Sequence, residues 1–173
     1  MTTTEFIHNR KLWTRLIIVL GGIGMLVGAV DPMEGSVVIL IGSALVALGT
    51  FLSHTEHRLI VYRMWVFALI AMGVTAMWVL SNAGGIGGKS GLSIWWGLLI
   101  LPYLVGWSMG IWGPGSPRWM LWLGMAVSLW YLWLSVMVQR HRKPEFNVAG
   151  VVIAALGLLT LVGCMCRLGA LKR

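Results

Sequence analysis

The chain has 173 residues, 58% of them hydrophobic and 10% charged, with a formal net charge of +8. Soluble domains carry about 25% charged residues, so the composition excludes a water-soluble fold of this size and leaves a single integral membrane domain over residues 1–173. The cations sit at the ends of apolar runs, where they meet anionic headgroups and set orientation, which argues against a nucleic-acid partner.

Residues 2–15 are polar and basic, and the apolar run that follows ends at Asp31-Pro32 without a small-residue cleavage site. That is a retained helix rather than a secretory signal. Six apolar runs follow one another, at roughly 12–30, 36–53, 59–80, 92–112, 119–138 and 146–167. Backbone groups in lipid must bond within their own segment, so runs of this length should be helices. The expected fold is all-α: six transmembrane spans arranged as three antiparallel hairpins, approximately 10–58, 59–117 and 118–173. Five spans with a re-entrant fourth run, interrupted by Pro102, is the alternative.

Between the first two runs stand Asp31, Pro32 and Glu34. Proline suits the first helical position and Asp31 suits the N-cap before it. Glu34 then falls at the capping-box spacing, and both acids face the positive end of the helix dipole. The stretch reads as a turn and cap; a cation or proton site is the sharper alternative. Ser116-Pro117 repeats the pattern before the fifth run, and Pro144 with Asn147 before the sixth.

Glycines and other small residues are placed for close helix approach. Gly24 and Gly28 are four apart, as are Gly106 and Gly110. Gly35, Gly42 and Gly49 recur every seven residues, and Gly150, Ala154 and Gly157 mark one stripe of the sixth run. These positions serve packing within the monomer or against other chains. In the fourth run, Pro102 and Tyr103 form an expected kink carrying a hydroxyl, either shaping the helix or gating a path.

Ala83-Gly-Gly-Ile-Gly-Gly-Lys-Ser90 satisfies a loose phosphate-loop pattern. A nucleotide site needs a strand before it, a helix after it and an α/β domain around it. None fits here, so the stretch reads as a flexible connector and no nucleotide is expected. His54 and His57 stand three apart beside Glu56, but no further ligand is near in sequence. Cys164 and Cys166, two apart, face different ways on a helix. No metal or other cofactor is expected. No Asp, Glu, His or Lys lies deep in a run, which counts against proton relays and ion-coupled transport.

With both termini in the cytoplasm, Arg10, Lys11, Arg15, Arg58, Arg63, Arg118, Arg167, Lys172 and Arg173 fall inside. Lys89, Arg140, Arg142 and Lys143 fall outside. The overall bias follows the positive-inside rule and suits a bacterial inner membrane, while the turn Gln139–Glu145 opposes it with three cations outside; a re-entrant fourth run would move that turn inside and the C-terminus outside. Trp13, Trp65, Trp112 and Trp119 near one surface, and Trp78, Trp95 and Trp96 near the other, make an aromatic belt. Trp107, Trp122, Trp130 and Trp133 fall deeper.

The first hairpin, Ile18-Val-Leu-Gly-Gly-Ile-Gly-Met-Leu-Val-Gly28 through Asp31-Pro32 to Ile41-Gly-Ser-Ala-Leu-Val-Ala-Leu-Gly49, resembles the HdeD-type family of bacterial acid-resistance membrane proteins. The resemblance covers mainly the first 50 residues. It implies a short helical chain of Gly-rich hairpins turned at a proline, and it carries over no functional residue.

The expected function is a non-catalytic accessory or structural subunit, packing against membrane lipids, pigments or other membrane proteins, or against copies of itself. A homo-oligomeric channel or carrier for a small neutral solute is the alternative. A lipid-modifying enzyme with its site in the loops is the third reading.

Overall fold

The computed structural model describes residues 3–30, 35–53, 56–84, 94–141 and 148–171. These are helical and contain no strand. Six α-helices run in order: α1 Thr3–Val27, α2 Ser36–Leu52, α3 His57–Asn82, α4 Leu101–Trp112, α5 Arg118–His141 and α6 Val148–Ala170. Short 3₁₀ segments, Gly28–Val30 and Ile94–Ile100, extend α1 and precede α4. The helices fall on the six apolar runs because the backbone has no other way to satisfy its polar groups away from water.

Four stretches are long and apolar enough to cross a membrane: Lys11–Val30, His57–Asn82, Arg118–Met137 and Ile153–Ala170. Two more, Ser36–Leu52 and Trp96–Trp112, are apolar but shorter. At 1.5 Å per residue, the 17 residues of α2 reach about 25 Å, less than a hydrocarbon core of about 30 Å.

The helix ends follow local chemistry. The carbonyl of Glu56 accepts from the N–H groups of Leu59 and Ile60 and opens α3. Gly84, at φ 93°, follows α3 in a conformation that suits glycine. Gly115, at φ 76°, sits in the turn closed by the N–H of Ser116 on the carbonyl of Gly113. Pro117 then receives the N–H groups of Met120 and Leu121 and starts α5. Ser116, expected to cap α5, instead donates its hydroxyl back to the carbonyl of Gly110 at 3.4 Å.

The chain divides into two compact units, Met1–Trp107 and Ser108–Arg173, so that the division falls within α4. In the first unit α1 packs on α2, and α2 on α3. Its core includes Met25, Ala29, Ile39, Ile70, Val74 and Tyr103. In the second unit α5 packs on α6, and Ile111, Leu121, Tyr131 and Cys164 are buried.

Candidate functional site: glycine seams and an exposed tryptophan face

Helices α1 and α2 approach each other backbone to backbone. A Cβ placed on Gly42 would lie 2.7 Å from the carbonyl oxygen of Gly21 and 2.9 Å from the amide nitrogen of Met25. One on Gly28 would lie 2.7 Å from the carbonyl oxygen of Gly35, and one on Gly49 would lie 3.2 Å from that of Thr14. Small residues therefore meet in three successive pairs, Thr14 with Gly49, Gly21 with Gly42 and Gly28 with Gly35. Position numbers rise on one helix as they fall on the other, so the two helices run antiparallel. The step between pairs is seven residues on both, the period of a left-handed packing seam.

Gly24 lies beside this line rather than on it. A Cβ there would meet the Cα of Gly42 at 3.5 Å and the carbonyl oxygen of Val38 at 3.7 Å, ordinary contact distances. The four-residue spacing of Gly24 and Gly28 is the more conspicuous pattern in the sequence. The period of seven through Thr14, Gly21 and Gly28, matching that of α2, is the signal that points to Gly21.

Similar seams hold the other pairs. Gly73 of α3 lies directly against Tyr103 of α4, and a Cβ on Gly106 would lie 2.9 Å from the Cβ of Leu69 and 3.1 Å from the amide nitrogen of Ile70. In the second unit Gly124 of α5 fits against Ile111 and Cys164. Gly157 of α6 faces the carbonyl of Ser128, and Gly163 lies under the indole of Trp112. Gly110 and Ala154 are half-buried, and Gly150 lies in α6, its surroundings outside the description. Gly124 stands four residues before Ser128, whereas Gly73 and Gly163 have no small residue four positions away, and the partner helix reveals why those two are small.

Pro102 is the second residue of α4, just after the seven-residue 3₁₀ segment Ile94–Ile100. Its fixed φ and missing N–H suit a first helical turn. The irregularity is therefore a change of helix type immediately before the proline. Tyr103 is buried against Gly73. Asp31, Pro32, Glu34, His54 and most of the loop from Ala83 to Ser90 lie outside the described residues.

Most described interior polar groups are hydroxyls, beside the buried nitrogens Nε1 of Trp107, Nε1 of Trp112 and Nη1 of Arg63. The described buried polar residues are Thr14, Ser36, Ser43, Thr50, Ser108, Ser128, Ser135 and Thr160, all hydroxyls and none ionisable. Several bond to the preceding turn of their own helix: Ser43 donates to the carbonyl of Leu40 at 2.8 Å, Thr50 to Val46 at 2.7 Å, and Ser128 to Gly124 at 2.7 Å. That habit removes the cost of a lone hydroxyl in apolar surroundings. Polar links between helices include two buried ones among the described residues. In the first unit Trp107 donates its indole N–H to the carbonyl of Met25 at 3.0 Å. In the second, the hydroxyls of Ser108 and Thr160 lie 3.0 Å apart. Among the described residues no three His, Cys, Asp or Glu side chains gather as a metal site.

The outer surface is the reverse. Large apolar side chains are exposed along every long helix. On α5, Trp119, Trp122, Trp130 and Trp133 are all exposed, Trp122 by 61%. Their spacings of 3, 8 and 3 keep them on one helical face. Trp130 and Trp133 stack with centroids 5.0 Å apart. Of the deeper tryptophans Trp107 is a core residue, and Trp122, Trp130 and Trp133 lie exposed on one face of α5. On α2 and α3, Ala44, Ala47, Leu48, Phe51, Met64 and Phe67 line an open apolar groove of about 320 Å³.

No family model, curated protein or solved structure matches the chain.

Proposed function

We propose that this protein is a non-catalytic multi-pass membrane protein that serves as an accessory or structural subunit, its tryptophan-rich α5 face packed against another membrane protein. The observation that carries this reading is a contrast. The described residues classed as buried and polar are serines and threonines, Arg63 in the second turn of α3 being the one cation with a buried nitrogen, while tryptophans stand exposed along one face of α5. Proton relays and ion-coupled carriers place ionisable groups inside the membrane. Tryptophan is enriched where protein surfaces pack in earnest.

On this reading the six helices are six spans in three hairpins, with both termini in the cytoplasm of a bacterial inner membrane. Arg58, Arg63, Arg118 and Arg167 then mark the inner surface. The two shorter helices reach across with help from local thinning of the bilayer or from flanking polar residues.

The test is a pull-down from the native membrane in mild detergent, comparing wild type with a W122A/W133A variant. Another chain held in fixed ratio by wild type and lost from the variant supports the proposal. A lone protein or homo-oligomer, together with solute flux when reconstituted in liposomes, overturns it in favour of a channel or carrier.

A further inference from the structure

Resting on the reading above that the fourth run crosses the membrane, we propose that the 3₁₀ segment Ile94–Ile100 is a length-adjusting joint, longer as 3₁₀ and shorter as α-helix, that converts as the bilayer changes thickness. The segment has seven residues and runs directly into α4 at Leu101. Runs of 3₁₀ longer than about four residues are uncommon, and inside a longer helix they mark a hinge or a sequence under strain.

The two lengths match the range that membranes present. With seven 3₁₀ residues at about 2.0 Å each and the twelve α-helical residues of α4 at about 1.5 Å, Ile94–Trp112 reaches about 32 Å. Wholly α-helical, it would reach about 28 Å. Hydrocarbon cores run from about 27 Å in thin membranes to about 33 Å in thick ones. Conversion therefore covers most of that range without tilting the helix or thinning the bilayer.

One end is fixed and the other is free to turn. Gly73 of α3 lies directly against Tyr103, and a Cβ on Gly106 would lie 3.1 Å from the amide nitrogen of Ile70, so this part of α4 cannot slide along α3. Position numbers rise on α4 as they fall on α3, so the two run antiparallel and Arg58 stands at the far end of α3 from the segment. Among the segment's described side chains none is buried: Trp96, Leu98 and Leu99 are exposed, and Gly97 and Ile100 are half-buried. Lipid meets the exposed groups in either form, so conversion gives up little packing. Each residue that converts turns the chain by about 20°, the difference between 3.0 and 3.6 residues per turn. Pro102 sets the balance. It has no N–H for the carbonyl of Leu98, and its ring crowds that carbonyl in an α-helix. This favours 3₁₀ upstream and offsets the poorer hydrogen bonds of that form.

The experiment measures the distance between spin labels on R58C and W96C, both at exposed positions, by pulsed electron paramagnetic resonance. The full-length protein carries C166S, Cys164 being buried, and is reconstituted in phosphatidylcholine of short or of long acyl chains. The pair should lengthen along the helix axis by about 2.5 Å from the thin bilayer to the thick one, at about 0.5 Å for each residue from Trp96 to Ile100. R58C with V105C, another exposed position, spans only packed α-helix and should not change. P102A, which restores the N–H and removes the ring, should hold the W96C pair at the short distance in both lipids. A W96C distance that follows the lipid no more than V105C does overturns the proposal, as does a P102A protein that responds as the parent chain does. Should P102A fail to fold, the lipid series with Pro102 in place decides the matter.

The spanning reading is scored separately, by labelling K89C and R118C in sealed vesicles with a membrane-impermeant thiol reagent. Labelling from opposite faces supports a crossing fourth run; labelling from the same face would sink that reading and the joint with it. Opposite labelling with an unchanged W96C distance would sink the joint alone.

Discussion

Gly21 and Gly42 meet backbone to backbone across α1 and α2, each carbonyl oxygen occupying the space where the other's Cβ would be, at 2.5 and 2.7 Å. Neither helix can carry a side chain at that level without moving. The pair is the middle of three contacts spaced seven residues apart, so a shift at one is a shift at all.

Substituting G21A or G42A should therefore destabilise the protein by about 1–3 kcal/mol, the range for overpacking. G24A should be neutral or slightly stabilising, since its new methyl finds ordinary contacts and alanine favours helix by about 1 kcal/mol over glycine. Thermal unfolding in detergent checks this; a G24A loss as large as that of G42A would contradict the seam as described.

In the second unit, G163A should lower the melting temperature, because a Cβ there would lie 2.5–2.9 Å from atoms of the Trp112 indole. G169A, six residues later on the same helix, should not, because nothing stands within 4 Å. The comparison separates packing from helix propensity, which favours alanine at both sites.

The Ser108–Thr160 hydrogen bond should appear as coupling in a double-mutant cycle. S108A and T160V each leave one buried hydroxyl without its partner. The double variant should lose less than the sum, with a coupling energy of about 0.6 kcal/mol and at most roughly 1.7, as for other hydrogen bonds between membrane helices. Strict additivity would mean that the two hydroxyls do not interact.

W107F should cost about 1 kcal/mol through loss of the bond to the Met25 carbonyl. The cost should vanish when Trp122 is changed to Phe instead, because Trp122 is exposed and the described contacts give it no core role. Measured stabilities of the two variants in the same detergent decide it.

The helices were legible because each apolar run is long, and in an apolar setting length alone selects a helix. The α2 seam was legible too, since Gly35, Gly42 and Gly49 repeat at one period. The α1 side was harder. Gly21, Gly22, Gly24 and Gly28 crowd together there, and the four-residue spacing of Gly24 and Gly28 is the more conspicuous pattern; Gly21 stands out once its seven-residue step to Thr14 and Gly28 is matched with that of α2. Trp107 and Trp122 look alike in the sequence, yet one is buried with its N–H bonded and the other lies on the surface. Their difference arises from which helix each meets, and a single sequence holds no record of that.

The central claim is that this chain acts as a subunit of something larger. Native mass spectrometry of the protein extracted from its own membrane in mild detergent tests it most directly. Another chain should be found bound in fixed ratio and released by W122A/W133A. A protein found alone or only with copies of itself, and passing a neutral solute in liposomes, would contradict it.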